Sequence, residues 1–598
     1  QGEVTFEGET KPLIVKELSE LCFPSGLWVK KGDYPYPQLK ELTYLGKGDT
    51  VPLVPEMPAA EVVQQNQNVI VMLSGHPQHF QYQVQVWYNG SMTKEYFVGG
   101  GINRQIDITD GLSEYGEYLV KVTAYGDGIH YSKSDVLSLS YQHKAPEKQL
   151  LKNLRVQWQD NGGQENYSLT WDSFAGAYNY KIQVKDQSQE IKLDVEAVQN
   201  AYVIAETTAL TFDGDYTVTV TAMSQTNEPL TLETALSFST LFAGGTGTLE
   251  DRYLIANQRH WNNVALESNK NYRVIRNITL DELKPIDSFS GSMIGALDGI
   301  ENSPVRITYH YSNPKGVSVG LFKSISGADI QYIGVAGTLT AAGGSAAGSG
   351  ALAASITNTE ISHCFSEMEA SYKGGTKCGG LVGAALENSV IRDCYNAGNI
   401  TDTTTGMLGG IVGFLDTNAK IYDCYNIGNI SSSSNNIGGI VGALQGSIEG
   451  AYNTGSISST SDTAGGIAGY ASQGAGGTMK YLFNTGTITS AKMAGGIVSR
   501  IRTKNGTTIL DEVYNVGDVI SGNGMGGYIV PTIENTKTKL GSYVFYLEGI
   551  QGGKEANGIS VTSGALSNQA KMIFPEEKWT FREGYQYPQL KAVSYRNQ

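Results

Sequence analysis

The phrase CYNAGNI at Cys394–Ile400 is followed thirty residues later by CYNIGNI at Cys424–Ile430. A catalytic loop is normally needed once, whereas a phrase that returns at a fixed spacing indicates stacked copies of one structural unit. Each of these phrases belongs to a longer unit that opens with a Gly-Gly phrase. The openings lie 27 to 31 residues apart, at Gly379, Gly409, Gly438, Gly465, Gly495 and Gly526.

Each half of the repeat has the length and composition of a short β-strand bounded by glycine or asparagine. One unit is too small to bury its own apolar residues, but copies stacked in register share a continuous core. We therefore predict a parallel β-solenoid, or β-helix, with repeats of about 30 residues and either handedness. The glycine pairs predict positive φ or a close backbone approach at the corners.

Two positions of the repeat predict columns of side chains along the solenoid. The asparagine of the second phrase tolerates the left-handed conformation and, at a strand spacing of ~4.8 Å, is suited to an amide ladder. The cysteines predict a column of small buried side chains, with a disulfide between coils as the alternative. The columns are Asn396, Asn426, Asn453, Asn484 and Asn515, and Cys364, Cys394 and Cys424.

A third position of the repeat is aromatic, and it permits two interpretations. The rings pack on the surface or corner of each coil, or they form an exposed stripe that docks sugar rings. Phe483 interrupts the tyrosines, and its missing hydroxyl favours packing. The candidate ligand face consists of Tyr395, Tyr425, Tyr452 and Tyr514.

Asp393 and Asp423 share one phase of the repeat, which predicts carboxylates ~5 Å apart. Carboxylates at that distance suit a retaining glycosidase or a Ca²⁺ site. The column continues with Gly450, Tyr481 and Glu512, so we favour a solvated strand edge. We therefore assign no catalytic, cofactor-binding or metal-binding residue, and a structural Ca²⁺ is the cofactor alternative.

The remaining sequence offers no stronger site. His76 and His79 lie three residues apart without an acidic or cysteine partner nearby, and HExxH, GxSxG and Walker motifs are absent. The five cysteines form neither a metal-ligand spacing nor a disulfide framework. The net charge of −15 argues against a nucleic acid partner. No apolar run approaches the ~20 residues of a membrane span, so we expect no membrane insertion.

One phrase occurs near both ends of the sequence. FPSGLWVKKGDYPYPQLKEL at 23–42 matches FPEEKWTFREGYQYPQLKAV at 574–593. Its aromatics and proline suit a terminal cap that covers the last coil and blocks edge pairing. Residues 1–45 would then be the tail of a preceding array; the alternative is a separate amino-terminal segment that reuses the cap. In either case we expect the native gene to begin upstream of Gln1.

Between these phrases lie a proline-rich linker and two stretches of short alternating strands. Trp171 on an early strand, followed by AYNYKIQV and later by GDYTVTVTAMS, resembles bacterial fibronectin type III or immunoglobulin-like sandwiches. The stretches contain no cysteine pair, which excludes an antibody-type domain. The fold class predicted is all-β: two β-sandwiches followed by a solenoid. The segments are 1–48 (cap-like), 49–58 (linker), 59–146 and 147–240 (sandwiches), and 241–598 (solenoid with cap).

The GGIVG…CYNIGNI unit resembles the GLUG repeat of bacterial surface proteins, which include adhesin-like proteins and the repeat regions of some IgA proteases. The resemblance covers roughly residues 240–598. FAGGTGTLEDRYLI, from Phe242, looks like the entry segment of such modules in Bacteroidetes proteins, with Arg252 in place of the customary proline. FSGSMIGALDGI at Phe289, followed by VGLF at Val319, looks like a diverged first coil.

The resemblance implies a secreted or cell-surface protein, associated with the bacterial outer membrane, that acts in adhesion. We expect a monomer whose rigid solenoid face binds a glycan or a host or extracellular-matrix protein. The alternatives are a purely structural surface spacer and a β-helix carbohydrate-active enzyme. A groove with clustered carboxylates would favour the enzyme, whereas aromatic rings flush in the packing would weaken the glycan interpretation.

Overall fold

The computed structural model has 5% helix and 54% strand, which confirms an all-β chain. Two compact units, 1–148 and 149–598, follow each other along the sequence. The structure describes residues 53–592 and the backbone of four short strands between residues 2 and 39. The gaps within 53–592 are 67, 128–130, 145–147, 314–317, 343–347, 404–405, 434, 473–476, 503–506, 535–536, 555–556 and 583–585.

The four amino-terminal strands form two antiparallel pairs. In the second pair Trp28 lies opposite Leu39, and in the matching carboxy-terminal phrase Trp579 lies opposite Leu590. Both copies of the phrase therefore pair in the same register. The remainder of the predicted cap-like segment, including Cys22, falls outside the described residues. The pairs are Gly2–Phe6 with Glu9–Leu13, and Trp28–Val29 with Gln38–Leu39.

The first β-sandwich joins a three-stranded and a four-stranded antiparallel sheet. Alternate residues face inward: Val84 and Val86 are fully buried, and the residues between them are not. The Tyr118 hydroxyl donates to the Glu114 carbonyl at 3.0 Å, which is the tyrosine corner of immunoglobulin-like folds. In spatial order the strands are Ala59–Gln65, Asn68–Ser74 and Arg104–Asp107, and Leu137–His143, Gly116–Tyr125, Gln81–Tyr88 and Ser91–Gly99; a 3-10 turn spans Thr109–Gly111.

The second β-sandwich has the same three-plus-four arrangement. Trp171 and Tyr180 meet edge to face in its core, with ring centroids 5.1 Å apart. The Tyr216 hydroxyl donates to the Thr211 carbonyl at 2.6 Å and forms a second tyrosine corner. In spatial order the strands are Arg155–Asn161, Gln164–Thr170 and Ala201–Ala205, and Ile191–Ala197, Asn179–Asp186, Asp215–Met223 and Thr234–Ser239. The two predicted sandwiches are thus confirmed as folds.

The solenoid makes about eight turns between residues 278 and 546. Each central coil contributes four strands, and each strand pairs in parallel with its equivalent in the next coil. Alternate side chains point inward, so Ile421 and Ile430 in one coil lie beside Ile448 and Ile457 in the next, all buried. The apolar residues of all coils form one continuous core. The predicted parallel β-solenoid is confirmed.

Three parallel sheets account for the strands of the solenoid that the structure describes. The largest has 23 strands and includes two ladders. Its first ladder comprises Tyr253–Ile255, Asn271–Val274, Ser292–Gly295, Asp329–Gln331, Glu360–Ser362, Val390–Arg392, Tyr395–Asn396, Lys420–Asn426, Ser447–Asn453, Gly477–Asn484, Thr508–Asn515, Thr538–Leu540, Val544–Leu547 and Ile559–Val561. Its second comprises Ile278–Leu280, Val305–Asn313, Ile333–Ala342, Phe365–Lys373, Ile400–Asp402, Ile430–Ser432, Ile457–Ser459, Ile488–Ser490 and Val519–Ser521.

The other two sheets close each coil, and they have eight and seven strands among the described residues. The eight are Phe322–Ser326, Ala353–Thr357, Val382–Leu386, Val412–Leu415, Val441–Leu444, Ala468–Ala471, Arg500–Ile501 and Thr532–Ile533. The seven are Gly348–Gly350, Lys377–Gly379, Met407–Gly409, Asn436–Gly438, Thr463–Gly465, Met493–Gly495 and Met525–Gly527. The glycine pairs permit close approach, since a Cβ on Gly439 would lie 2.1 Å from the Gly466 carbonyl oxygen in the next coil.

The amide ladder predicted for the repeat asparagines is confirmed. Asn453 is fully buried; its Nδ2 donates to Asn484 Oδ1 at 2.8 Å and to the Gly455 carbonyl at 2.8 Å. The prediction that these asparagines adopt a left-handed backbone is wrong, because each ends a strand. Positive φ occurs instead three residues earlier, for example at Asp423 (51°) and Gly450 (76°). The left-handed residue turns the chain, which leaves the asparagine free to point inward.

The cysteine column is also confirmed as buried packing. Cys364, Cys394 and Cys424 are fully buried thiols, and burial raises the pKa of Cys394 well above its ordinary value. No disulfide joins these three residues, so the bridged alternative is wrong.

Two short helices flank the solenoid. Gln258–Asn263 follows the first strand and is capped by Asn257, whose side chain accepts a hydrogen bond from the His260 amide. Ser563–Ile573 follows the last strand and is capped by Thr562. Two 3-10 turns, Val264–Leu266 and Leu297–Gly299, lie in the first coils.

The carboxy-terminal phrase does not close the end of the solenoid, as predicted, but lies along its side. The helix Ser563–Ile573 leads into a strand pair, Trp579–Thr580 with Gln589–Leu590. We call the described part of 563–592 the lateral cover. Trp579 packs beside Tyr452, with ring centroids 6.1 Å apart, so the cover reaches back over coils far from the last one. The lateral cover buries an apolar surface, which is a row of aromatic rings.

Candidate functional site

The aromatic column of the repeat is a continuous ring stack. Neighbouring rings lie 4.8 to 5.1 Å apart and are within 7° of parallel. The strand register sets this spacing, because each ring occupies the same position on adjacent parallel strands. The stack comprises Phe365, Tyr395, Tyr425, Tyr452, Phe483 and Tyr514.

The ring stack is buried under the lateral cover. Phe574 and Trp579 of the cover contact Phe483 edge-on or tilted, with centroids 6.0 and 5.8 Å away. Together the stack and the cover form an apolar cluster separate from the solenoid core. The four tyrosines considered as a ligand face therefore do not form an exposed stripe; each is at most 8% exposed: Tyr395, Tyr425, Tyr452 and Tyr514.

The carboxylate pair lies beside this cluster and is not a solvated edge. The Asp423 carboxylate is 3.4 Å from the Nζ atom of Lys578, on the cover, and Lys578 also contacts Glu449 at 3.3 Å. The Asp393 carboxylate lies 3.7 Å from His363 Nε2. Burial raises the pKa of Asp423 to about 6, against the opposing effect of Lys578. The Lys578 contacts anchor the lateral cover to the solenoid, whereas the Asp393 contact lies within the solenoid.

A polar groove of about 520 Å³ crosses the first coils of the solenoid. Its floor is a line of outward-facing residues that the register places side by side. Asn271 lies opposite Ser292, Ser292 opposite Asp329, and Asp329 opposite Glu360. At ~4.8 Å per parallel neighbour the line is about 14 Å long. Arg252, directly before the first strand of the sheet, extends it at one end.

Hydrogen bonds join the residues at the arginine end of the groove. Arg252 donates to the Ser292 hydroxyl, which donates in turn to Asn271 Oδ1 at 2.7 Å. Burial lowers the pKa of Arg252, and the nearby Arg273 adds to that effect. Within the part of the chain that the structure describes, Arg252 has no carboxylate within 4.0 Å. Arg252 lines the groove, and its guanidinium carries further N–H donors.

The opposite end of the groove carries acceptors. Asp329 Oδ2 accepts a hydrogen bond from Gln331 at 2.7 Å, whereas its Oδ1 is buried and accepts none from the described residues. Burial raises the pKa of Asp329, and Glu360 beside it adds to the increase. Glu360 forms an ion pair with Arg392 at 2.8 Å. The groove thus offers a cationic end, an amide and hydroxyl centre, and an acidic end.

Amide and hydroxyl groups also line the walls of the groove. Asn388 donates to Asn358 Oδ1 at 2.9 Å, which orients both amides. Small and apolar residues leave space between them. The further lining residues are Leu249, Asn269, Ser290, Gly291, Gly327, Ala328, Thr359 and Val390.

Sequence reasoning missed this groove because its floor residues lie at irregular spacings. Ser292 is 21 residues after Asn271, and Asp329 is 37 residues after Ser292, so the diverged first coils hide the shared column. One signal was present in the sequence. Arg252 was the departure from the proline of the entry segment, and it marks the cationic end of the groove.

Comparisons with known proteins add little to this picture. No family model matches the sequence, and no curated protein matches it. Among solved structures, a candidate immunoglobulin A1 protease from Bacteroides ovatus is similar at TM-score 0.35 and 14% identity, over 59% of this chain and 96% of that one. The FN1–FN3 domains of chicken CNTN1 are similar at TM-score 0.14 and 13% identity, over 32% and 70%. Structural similarities at this level support no conclusion about the chain.

Two further observations bear on metals and membranes. Within the described ranges, no group of three or more His, Cys, Asp or Glu side chains is arranged to hold a metal ion. In the same residues, no helix is both long and apolar enough to cross a bilayer.

Proposed function

We propose that this protein is a bacterial cell-surface adhesin that binds a glycan in the polar groove of its first solenoid coils. The observation that carries the proposal is the line of hydrogen-bonding groups from Arg252 to Glu360. Sugars present hydroxyl groups that both donate and accept hydrogen bonds. Asp329 Oδ1, which accepts no bond from the described residues, is a ready acceptor for a sugar hydroxyl.

The dimensions of the groove support an oligosaccharide as the ligand. Its floor of about 14 Å runs along the solenoid axis, so successive sugar units would meet successive coils. We propose binding without bond cleavage and without a cofactor. Glu360, the carboxylate beside Asp329, is held in an ion pair with Arg392, which makes it less suited to act as a second catalytic carboxylate. The solenoid would act as a rigid mount that displays the groove away from the cell.

A glycan array probed with the full chain tests this proposal. We expect binding to at least one oligosaccharide, weakened at least about tenfold by Asp329→Asn or Asn271→Ala, because each changes a hydrogen-bonding group on the groove floor. Asp462→Asn is the matched control, since its carboxylate pairs with Lys492 outside the groove. Glycan binding that survives both groove substitutions would contradict the proposed site.

A purely structural spacer is the second candidate, and the lateral cover favours it. The most regular surface of the solenoid is the ring stack, and a segment of the same chain covers it. A spacer predicts that neither glycans nor host and matrix proteins bind the full chain. Binding of a matrix protein instead of a glycan would support a function in adhesion. It would also mean that the binding site is not the groove.

A further inference from the structure

We propose that the groove selects an acidic glycan, whose carboxylate binds Arg252 while neighbouring hydroxyls bind Asp329 and Glu360. This inference rests on the proposed function, because it names the chemical class of ligand for the same groove. It follows from the uneven distribution of charge along the groove floor.

The arginine end is built to hold an anion. Among the residues that the structure describes, the Arg252 guanidinium donates one hydrogen bond, to the neutral hydroxyl of Ser292. By contrast, the nearby Arg273 pairs with Glu301 at 3.1 Å, and Arg276 pairs with Asp160 at 2.6 Å. A partly desolvated guanidinium offers several donors in a planar fork that matches a carboxylate. Arg252 therefore has the unfilled donors that an acidic sugar would engage.

The acidic end fixes the direction in which such a ligand lies. Asp329 and Glu360 are hydrogen-bond acceptors when ionised, so they repel a carboxylate and attract hydroxyl donors. They lie three and four strands along the floor from Arg252. The Arg252 guanidinium, however, reaches across to the Ser292 hydroxyl, and Ser292 lies directly opposite Asp329, ~4.8 Å away. A carboxylate bound to Arg252 would therefore lie close to the hydroxyl groups that Asp329 binds, with Glu360 one strand further along.

Chemically matched libraries test the inference with the full chain. One library contains oligosaccharides that carry uronic acids, and the other contains the same oligosaccharides after reduction of the carboxyl groups to alcohols. We expect the wild type to bind unreduced members at least about tenfold more tightly, since a charge-assisted contact is lost on reduction. Added NaCl should shrink this preference.

Arg252→Gln should abolish the preference for unreduced members, whereas Arg252→Lys should keep part of it. Arg273→Gln is the matched control, because Arg273 lies on the same face but does not line the groove. Circular dichroism establishes that each variant is folded. If Arg252→Gln does not fold, the salt dependence and the reduced library still decide the question for the wild type.

The outcomes separate the two proposals. Equal binding of the reduced and unreduced libraries would overturn the acidic-glycan inference and leave a neutral glycan-binding groove. A preference that persists in Arg252→Gln would overturn the assignment to Arg252. Absence of binding to both libraries would overturn the proposed function together with this inference.

Discussion

At the scale of single residues, the asparagine ladder shows how one side chain serves a whole array. Four of the five asparagines divide the two Nδ2 protons between the next asparagine and a glycine carbonyl in their own coil: Asn396, Asn426, Asn453 and Asn484. The last one, Asn515, donates to the Gly517 carbonyl. A buried polar group is tolerated in the core only when such partners are present. Asparagine suits this position of the repeat because the register supplies the same acceptors from coil to coil.

Asn453→Ala should therefore lower the free energy of unfolding. The substitution removes the donor to Asn484 and to the Gly455 carbonyl and leaves both acceptors buried. We expect a loss of about 2–4 kcal/mol, measured by urea denaturation. Asn429→Ala is the control, because Asn429 is exposed, and it should cost less than about 1 kcal/mol. Equal losses of unfolding free energy in both variants would mean that the buried ladder contributes no more stability than an exposed hydrogen bond.

The raised pKa of Asp423 predicts a dependence of stability on pH. The groups that face it are Lys578, Glu449 and Asp393, and burial has the largest effect. Because the folded-state pKa of about 6 exceeds the ordinary value of 3.8, folding favours the protonated carboxyl. The contribution of the protonated Asp423 carboxyl to stability is complete below pH ~4 and is lost as the pH rises through about 6.

Asp423→Asn mimics the protonated carboxyl and removes the loss of stability that the wild type shows as the pH rises. We expect equal stability of variant and wild type at pH 4 and a more stable variant at pH 7.5, by urea denaturation. If the variant is the less stable protein at pH 7.5, the ion pair with Lys578 outweighs the cost of burying the charge.

At the scale of elements, the lateral cover and the ring stack form a second, smaller core. Trp579 is 2% exposed, and its ring contacts Phe574 at 4.8 Å and Phe483 at 5.8 Å. Because this cluster shares no buried residue with the solenoid core, the cover can be weakened without unfolding the coils.

Trp579→Ala should release the cover. Removal of a buried tryptophan typically costs about 3–5 kcal/mol, and Trp579 lies at the centre of the contacts between the cover and the ring stack. We expect rapid proteolysis between residues 553 and 592 and increased binding of a hydrophobic dye, while the solenoid stays resistant. Trp579→Phe, which keeps most of the apolar contact, should remain protected. Simultaneous loss of solenoid resistance in Trp579→Ala would show that the two cores unfold together.

At the scale of the second unit, an ionic cluster joins the second sandwich to the solenoid. Glu165 of the sandwich contacts Arg259 Nη2 at 2.6 Å and lies 3.3 Å from the buried His260. Burial alone would raise the pKa of Glu165, but His260, Arg259 and Trp158 hold it well below its ordinary value. Arg259 also donates to the Thr240 carbonyl at 2.7 Å, at the junction itself.

Glu165→Gln should loosen this junction. The substitution leaves Arg259 without its counter-ion. Because the pair is only partly buried, we expect the cost to lie below the roughly 3–5 kcal/mol typical of breaking a fully buried pair. We expect faster proteolysis around residues 240–250 and earlier thermal unfolding of the sandwich. Glu196→Gln, on an exposed strand of the same sandwich, is the control. The wild type should loosen similarly at acidic pH, because a lowered pKa gives stability that is lost only on protonation.

The sequence by itself determined the parts of this protein that repeat or alternate. The 27 to 31 residue period, the asparagine ladder and the buried cysteine column follow from stacking identical units, because register is fixed wherever one face is buried. Short alternating strands and Trp171 on an early strand likewise indicated the sandwiches. Only the tertiary structure decided which surfaces stay open. Contacts distant in sequence, such as Lys578 with Asp423, closed the aromatic face, and irregular first coils brought Arg252 and Asp329 to one groove. A period in sequence encodes neighbours on adjacent strands, but it carries no information about a segment that folds back across them.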